Sequence, residues 1–380
     1  MDPYAIRDFL AFAFNSFARP APLYVTLIGD MSYDYRKILP ESRENYIPSI
    51  PFHSYQYGQS ASDNGFVAVT GSGVTPDMAL SRISIETVEE GMTFLDKLEN
   101  YPTDNGKKWR ETVMLLSSGI DAGDELQFGF NRESLKLKQN FLDPLGYDAS
   151  VVIRFPNNPS EIPYQGSTPE IKNAFDKGAA LANYYGHGGG YQWDLTFLNN
   201  DIYTLNNAGR LPLIISVTCY TAHFDNQDVF GEQFVKIPDK GAIGFFGSSG
   251  LTLWQIGTYY NSLFFDEVFN QKNTISGKAI LASKVRTPPV GYHINQIALL
   301  TYLGEPGLDI VLPKKPDFVL ENSDLKFLTT NPLVDDTVKI KLTMSNFGIR
   351  TNDSVTVKLR FSSQDTSGVV ATIRIPGFGN

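Results

Sequence analysis

Short apolar runs recur along the N-terminal part of the chain, and each run ends in small or polar residues. Runs of six or seven largely apolar residues without strict alternation are typical of strands buried on both faces of a parallel sheet. This pattern predicts five strands, at Leu23–Gly29, Thr112–Ser118, Ala179–Tyr185, Leu213–Thr218 and Ala242–Gly247.

Stretches with helical periodicity lie between the predicted strands. Apolar residues recur at helical spacing in Thr87–Tyr101 and in Arg132–Leu142. Residues 167–170 resemble a capped helix start, which predicts a helix over Ile171–Lys177 that Gly178 closes. Strands that alternate with helices indicate an α/β sandwich.

The pattern changes after Leu312. A stiff Pro313–Pro316 segment leads into Val338–Met344 and Val355–Phe361, where apolar residues alternate with polar ones. Such alternation predicts half-buried antiparallel strands, as in a small all-β immunoglobulin-like sandwich. We therefore expect two domains, over residues 1–312 and 317–380.

Composition narrows the classes of function. The chain has 380 residues, 42% of them hydrophobic and 19% charged, with a formal net charge of −9. That is a globular composition, and an acidic protein without Lys/Arg runs is a poor partner for nucleic acid. No segment approaches the ~18 consecutive apolar residues of a membrane span. The N-terminus carries no signal peptide, and the chain ends just after strand-like sequence, so we expect a fragment.

Candidate catalytic groups follow the predicted strands, and ligands bind open parallel sheets outside the carboxyl ends of the strands. His187 begins a glycine-rich loop after the third run, and Cys219 follows the fourth. A thiolate can attack a carbonyl while an imidazole takes its proton and later protonates the leaving amine. The Gly188 and Cys219 N–H groups could form an oxyanion hole.

The alternative interpretation is that Cys219 is a small core residue and His187 belongs to an ordinary glycine loop. A cysteine at a strand end, considered alone, is more often buried core. The combination of the two residues at neighbouring strand ends favours the catalytic pair. Cys219 is the only cysteine, which excludes an intramolecular disulfide and a Cys-based zinc site.

The other histidines compete less well as catalytic bases. His223 could act if a helix began at the thiol, but a base normally comes from a separate element. His53 lies in a polar loop and His293 adjoins a predicted helix, Asn295–Tyr302, so both are expected to be structural or surface groups.

No cluster has convincing zinc spacing, and catalysis requires no cofactor in this interpretation. A structural calcium ion could bind loop aspartates, although such loops are more often simple turns. The candidate calcium ligands are Asp30, Asp34, Asp63 and Asp77.

A series of motifs, in order, resembles the gingipain-type (C25) cysteine peptidases. The motifs include Asn183–Gly188 followed by Trp193, Leu211-Pro212 leading to Thr218-Cys219, Ser248–Trp254, and Gly304–Leu308. The resemblance covers about residues 5–312. It implies a caspase-like α/β/α sandwich with a mostly parallel sheet, His187 as base, Cys219 as nucleophile and Trp254 in the wall of the substrate pocket. The C-terminal strands resemble CARDB-type or immunoglobulin-like modules.

The chain departs from this family at several places. It starts inside the helix of the family's leading strand–helix unit, near Ala5–Phe17. The third catalytic group falls at Ile120 or Asp121; Asp121 could orient His187, or it is a solvated loop acid. The acidic residue of arginine-specific members falls near Asn131.

The resemblance thus implies a cysteine endopeptidase, extracellular or on the bacterial cell surface, that acts on proteins or peptides. The residues expected to contact substrate are Gly188, Ser248, Ser249 and Trp254. One alternative is a type IX secretion sortase, associated with outer-membrane secretion machinery, in which an amine resolves the acyl-enzyme. Another is an inactive surface-binding scaffold.

Two expectations concern geometry and reactivity. The side chains of His187 and Cys219 should face each other at adjacent strand ends. A thiolate paired with imidazolium should react with iodoacetamide well below the ~8.5 at which a free thiol ionises. Because Asn131 is neutral at the place where arginine-specific members have an acidic residue, we expect a neutral or weakly selective pocket for the residue before the scissile bond. An Arg or Lys preference would need another acid, for which Asp124, Glu125 and Asp225 are the candidates.

Overall fold

The apolar runs predicted as strands lie side by side in one central sheet. The computed structural model describes residues 2–54, 58–101, 107–118, 127–153, 168–194, 196–363 and 366–377. Its largest sheet has eight strands in the order β1-β4-β13-β12-β11-β7-β5-β6. The strands of the described chain are β1 Tyr24–Ile28, β2 Phe52–Ser54, β3 Gly58–Ser60, β4 Ala79–Ile83, β5 Thr112–Ser118, β6 Asp148–Ile153, β7 Leu181–Gly186, β8 Gly188–Gly189, β9 Gln192–Trp193, β10 Phe197–Leu198, β11 Leu213–Ser216, β12 Gly244–Ser248, β13 Leu300–Gly304, β14 Phe318–Val319, β15 Leu325–Phe327, β16 Ile340–Leu342, β17 Ser345–Asn346, β18 Val355–Ser362 and β19 Ser367–Ile375.

Helices cover both faces of this sheet. Their bounds are α1 Pro3–Ser16, α2 Val88–Glu99, α3 Phe130–Leu137, α4 Thr168–Lys177, α5 Asn199–Ile202, α6 Phe230–Lys236, α7 Trp254–Phe265, α8 Ser276–Val285 and α9 Tyr292–Leu299. Each central strand packs against helices on both sides, because successive side chains of a strand point to opposite faces of the sheet. In β5, Val113 and Leu115 join the hydrophobic cluster that includes α7, whereas Met114 and Leu116 join the cluster that includes α4 and α6. The α/β/α sandwich expected from the sequence is confirmed.

Two groups of strands run in opposite directions. Strands β12, β11, β7, β5 and β6 are mutually parallel, so their carboxyl ends share one edge of the sheet. Strand β13 is antiparallel to β12, and β4 and β1 follow the direction of β13. The carboxyl ends of β5, β7, β11 and β12, and with them His187 and Cys219, therefore lie along one edge, while β1 ends at the other. The loop after β1 returns towards the first edge, where the Tyr33 N–H donates to the Asp225 carbonyl.

Helix boundaries differ from the sequence pattern at two places. The helix predicted over Arg132–Leu142 is α3 followed by a π turn, Lys138–Leu142. The helix predicted over Asn295–Tyr302 is wrong at its end, because α9 stops at Leu299 and the following residues form β13. The last turn of α9 and the whole of β13 are both largely apolar, so the pattern of apolar residues does not show where the helix ends and the strand begins.

The C-terminal residues form three separate two-stranded ladders, β14 with β17, β15 with β16, and β18 with β19. Side chains of β18 alternate between half-buried and exposed over its first six residues, as the sequence pattern predicted. The 317–380 domain boundary and the immunoglobulin-like sandwich stay predictions. Arg350 joins this region to the sheet, because its backbone N–H donates to the Gly146 carbonyl over 2.8 Å.

The helices of the described residues are too short or too polar to cross a lipid bilayer.

A buried ion pair joins the strands at the sheet's β1 edge. Arg82 on β4 donates to both carboxylate oxygens of Asp63, over 2.7 and 2.8 Å, and both side chains have no exposed surface. The same guanidinium donates to the carbonyl oxygens of Gly29 and Ile47. It therefore ties the end of β1 to two loops.

Replacing Asp63 with Asn should destabilise the fold strongly, because the Arg82 charge would stay buried without its counter-ion. We expect the free energy of unfolding to fall by about 3–5 kcal/mol, measured by urea denaturation. Lys136→Met, which removes a pair with Glu133 whose lysine is 57% exposed, is the control and should cost at most about 1 kcal/mol. Equal losses of stability in the two variants would contradict the stabilising role of the buried Asp63–Arg82 pair.

Candidate active site

The register of two parallel strands brings His187 and Cys219 to the same level of the sheet. Strand β7 pairs with β11, and Tyr184 is the partner of Ser216. The ladder joins residues 32 apart, as the Asn183–Ile215 and Gly186–Thr218 hydrogen bonds also show, and the same separation relates His187 to Cys219. Each residue lies three positions beyond the last pair, on neighbouring strand ends.

Glycines let the two strand ends approach each other closely. A Cβ on Gly188 would lie 2.7 Å from Thr218 Cγ2 and 3.1 Å from the Cys219 carbonyl oxygen. A Cβ on Gly186 would lie 2.4 Å from the Ser118 carbonyl oxygen, closer than real Cβ contacts. Packing against the ends of β5 and β11 therefore requires glycine at positions 186 and 188, whereas a Cβ on Gly189 or Gly190 would meet nothing within 4 Å.

The backbone of His187 is held firmly and its ring is packed between aromatic side chains. The carbonyl oxygen of His187 accepts the Tyr184 hydroxyl over 2.7 Å and the Asp194 N–H over 3.1 Å. The imidazole meets the rings of Phe128 and Phe130 edge-on, with centroids 5.3 and 5.2 Å away. The ring is half-buried, so it is both oriented by apolar neighbours and open at the sheet edge.

The thiol of Cys219 lies against the segment that follows β12. Its Sγ atom accepts the Thr252 N–H over 3.5 Å and lies 3.6 Å from the Thr252 carbonyl oxygen, to which the S–H donates. The side chain is half-buried. The next residue, Tyr220, has a left-handed backbone with φ +58° and donates its N–H to the Gly250 carbonyl. A sharp turn thus presents the thiol at the sheet edge.

Burial raises the pKa of the Cys219 thiol, and the Thr252 N–H bond opposes this only in part. Desolvation disfavours the thiolate because water no longer stabilises its charge. This differs from the thiolate–imidazolium pair expected from the sequence. The unliganded site favours a neutral thiol.

The predicted substrate-contacting residues differ in their surroundings. The hydroxyls of Ser248 and Ser249 are fully buried; that of Ser249 donates to the Ala61 carbonyl, and that of Ser248 accepts from Gly250 N–H. Trp254 is half-buried at the start of α7, with its ring 6.2 Å from that of Phe128. Trp254 is thus partly exposed, whereas the serines stabilise the segment between β12 and α7. The contact of these residues with substrate stays a prediction.

Of the four predicted acidic groups, only Asp225 lies in the described part of the chain, where it is buried beside His223. Asp121, Asp124 and Glu125 lie outside the described residues. Asn131 is buried and accepts the Ser117 hydroxyl over 2.7 Å. The role of Asp121 in orienting His187 stays a prediction.

The remaining histidines occupy structural positions. His223 Nε2 lies 2.9 Å from Asp225 Oδ1, and its Nδ1 lies 2.9 Å from the Asn226 amide nitrogen. These neighbours occupy both ring nitrogens of His223. His53 is exposed on β2, and His293 packs edge-on against Tyr259.

Each candidate calcium ligand has a partner within the protein. Asp63 binds Arg82, Asp30 binds Arg43, and Asp77 accepts two backbone N–H groups. Asp34 accepts the Leu39 N–H. In the described part of the chain no group of three or more His, Cys, Asp or Glu side chains is arranged to hold a metal ion. Calcium binding at these loops stays a prediction.

Sequence reasoning missed Thr252 and the aromatic residues beside His187. Thr252 lies four residues after the end of β12, and the same sheet-edge argument that selected Cys219 could have found it. Phe128 and Phe130 precede or begin α3, and nothing in the local pattern marks them as neighbours of His187.

Comparison with known proteins links this arrangement to one peptidase family. The family model described as Peptidase family C25 matches residues 1–311. The chain is 26% identical over 267 residues to Lys-gingipain W83 of Porphyromonas gingivalis, covering 69% of this chain and 14% of that protein. It is 26% identical over 225 residues to gingipain R2 of the same organism, covering 57% of this chain and 27% of that protein. The chain thus spans only a minor part of the length of these relatives.

Solved structures share the fold. A structure titled "Structure of Protease" matches with a TM-score of 0.65 at 19% identity, covering 98% of this chain and 88% of that chain. The Arg-specific cysteine proteinase gingipain R matches with a TM-score of 0.64 at 16% identity, covering 99% and 82%. These likenesses support the caspase-like arrangement of the sheet and helices.

The pH dependence of alkylation tests the ionisation of the thiol. Because burial raises the pKa of Cys219, the midpoint for reaction with iodoacetamide should lie above the ~8.5 of a free thiol. His187→Ala should leave that midpoint in the unliganded protein nearly unchanged. A midpoint well below 8.5 that His187→Ala abolishes would instead demonstrate a resting thiolate–imidazolium pair.

Proposed function

Since the chain belongs to peptidase family C25, a family of cysteine peptidases, we propose that it cleaves peptide bonds through an acyl-enzyme on Cys219. The observation that supports the proposal is the β7–β11 register, whose last pair, Tyr184 and Ser216, lies three residues before His187 and three before Cys219. The close approach of Gly188 to the Cys219 backbone supports it further.

The buried thiol favours general-base catalysis over a preformed ion pair. As Sγ attacks the substrate carbonyl carbon, His187 takes the thiol proton, and a tetrahedral oxyanion forms. The N–H groups of Gly188 and Cys219 are proposed as the donors to this oxyanion. The imidazolium then gives its proton to the leaving amine as the carbon–nitrogen bond breaks. A thioester remains on Cys219.

Hydrolysis completes the cycle. His187 takes a proton from water as the water oxygen attacks the thioester carbon, and the imidazolium then gives that proton to Sγ as the carbon–sulfur bond breaks and the acid product forms. If an amine attacks instead, the same intermediate gives a new amide, which is the sortase alternative. Asp121 is proposed to orient the imidazole, as a carboxylate does in a triad.

The location and wider partners follow only from the resemblance to gingipains. We expect an extracellular or cell-surface protein that acts on protein or peptide substrates and reaches its site through outer-membrane secretion machinery. An inactive scaffold, the alternative, would share the fold but would not cleave substrate. Activity measurements distinguish the peptidase from the scaffold.

Substitution of the catalytic pair is the direct test of the mechanism. Cys219→Ala should reduce cleavage of a fluorogenic peptide mixture to background, because the nucleophile is lost. His187→Ala should lower kcat by about 10²–10⁴-fold. The control is His223→Ala, whose ring nitrogens are occupied by Asp225 and Asn226, and it should retain activity within a few-fold.

A larger loss in His223→Ala than in His187→Ala would contradict the assignment of the base. Adding glycine amide to the reaction distinguishes the two fates of the acyl-enzyme. Hydrolysis should dominate in our proposal, whereas mainly amide product would support the sortase alternative. Wild-type protein that neither cleaves peptide nor forms amide would support the scaffold.

Substrate preference at the residue before the scissile bond provides another test. A cationic side chain needs a paired carboxylate in a desolvated pocket, and Asn131 is neutral and bonded to Ser117. We expect Arg, Lys and neutral residues to differ by less than about tenfold in kcat/KM. Trp254→Ala should lower kcat/KM about three- to tenfold by removing a stacking surface.

A strong Arg or Lys preference in peptide-library profiling would show that another acid supplies the charge. Loss of that preference in Asp124→Asn, Glu125→Gln or Asp225→Asn would identify the acid. Either result would overturn the neutral pocket.

A further inference from the structure

A large cleft adjoins the segment that follows Cys219, because Asp225 lines it and Tyr33, in the loop after β1, donates its N–H to the Asp225 carbonyl over 3.0 Å. It has a volume of about 640 Å³ and lies between the loop that follows β1, residues 48–51, and the start of α1. Ligand-binding clefts in proteins have volumes of ~300–1,000 Å³. The cleft is therefore large enough for bulky side chains.

The wall of the cleft is unusually apolar for a surface. Tyr33 and Ile38 are each 74% exposed and Leu39 is 61% exposed, although all three come from one loop. Tyr4 of α1 faces the same cleft and is 60% exposed. Contiguous exposed apolar surface of this kind marks binding sites in soluble proteins.

The charged groups of the wall are matched by partners within the protein. The Asp34 carboxylate accepts the Leu39 N–H over 2.7 Å, and the Asp225 carboxylate lies 2.9 Å from His223 Nε2. The Arg36 guanidinium lies over the ring of Tyr35, 5.4 Å from its centroid. Recognition in this cleft therefore depends on apolar surface more than on charge.

Two chains of contacts connect the cleft to Cys219. Asp225 lines the cleft and contacts His223, whose backbone N–H donates to the carbonyl of Tyr220 over 3.2 Å. Ser60 lines the cleft as well, and a side chain on Gly250 would meet its Oγ atom at 2.9 Å. The Gly250 carbonyl accepts the Tyr220 N–H. Both chains end at the residue that follows the nucleophile.

We propose that the cleft is an extended-substrate subsite that binds a Phe, Tyr, Leu or Met side chain of the peptide, two to four residues from the scissile bond. The proposal rests on the proposed peptidase function and adds a substrate class to it. The two contact chains that join the cleft to Tyr220 identify a substrate peptide as the occupant. An extended peptide advances about 3.3 Å per residue, so one held at Cys219 reaches a neighbouring cleft within a few residues.

The test compares a cleft variant with a matched surface variant. Tyr33→Ser/Ile38→Ser removes apolar surface from the cleft, and Leu333→Ser/Val334→Ser removes side chains that are 78% and 92% exposed outside it. Each protein digests a randomised decapeptide library, and mass spectrometry maps the cleavage sites. Matching thermal unfolding curves would show that both variants fold, since all four side chains are exposed.

The wild-type protein should favour Phe, Tyr, Leu or Met at one position two to four residues from the cleaved bond. The cleft variant should lose that preference by about tenfold, while the surface variant keeps it. The preference at the residue next to the bond should be the same in all three. An apolar preference that survives in the cleft variant, or no apolar preference in the wild type, would overturn the proposal.

A binding measurement separates this proposal from the peptidase function. The same library is passed over immobilised Cys219→Ala protein, with and without the cleft substitutions. Cleft-dependent retention of apolar peptides without cleavage by the wild type would contradict peptidase activity and support the cleft as a peptide-binding site. A cleft variant that only changes a dimer to a monomer in sedimentation would show a self-association surface and overturn the proposal.

Discussion

The parallel register between β7 and β11 is the constraint on which the candidate site depends. A slip of one residue would send every side chain of a strand to the other face and would separate the levels of His187 and Cys219. Side-chain hydrogen bonds across the ladder hold the register. The Asn183 amide donates to the Ile215 carbonyl over 3.3 Å, and the Thr218 hydroxyl donates to the Gly186 carbonyl over 2.5 Å.

Aromatic packing also fixes the backbone of the loop that contains His187 against the sheet. The Trp193 indole is fully buried and stacks on Tyr184 with centroids 4.6 Å apart, and the Tyr184 hydroxyl binds the His187 carbonyl. The backbone of His187 is thus bonded to the core, while Cys219 is half-buried. Because burial raises the pKa of Cys219, its surroundings disfavour a resting thiolate and favour proton transfer as the thiol attacks.

The sequence predicted β1, β5, β7, β11 and β12, because these strands carry continuous apolar runs, and it selected the residues that follow β7 and β11. It did not predict β4, which contains Ser81 and Arg82, or β6, a half-buried edge strand. Nor did it predict β13, whose apolar residues continue those of α9 without a break. It also did not predict that burial would raise the pKa of Cys219, or that Thr252 would contact its sulfur. Both depend on how a loop from another strand folds back over the thiol, and such long-range packing leaves no local pattern.

In the proposed mechanism Cys219 carries the acyl group during turnover. Intact-mass spectrometry of protein mixed with a peptide ester and quenched in acid within milliseconds measures this directly, because thioesters survive acid. We predict a mass increase equal to the acyl part of the peptide, mapped to Cys219 after digestion and absent from Cys219→Ala. Turnover without a covalent intermediate, or an acyl group on a residue other than Cys219, would contradict the account.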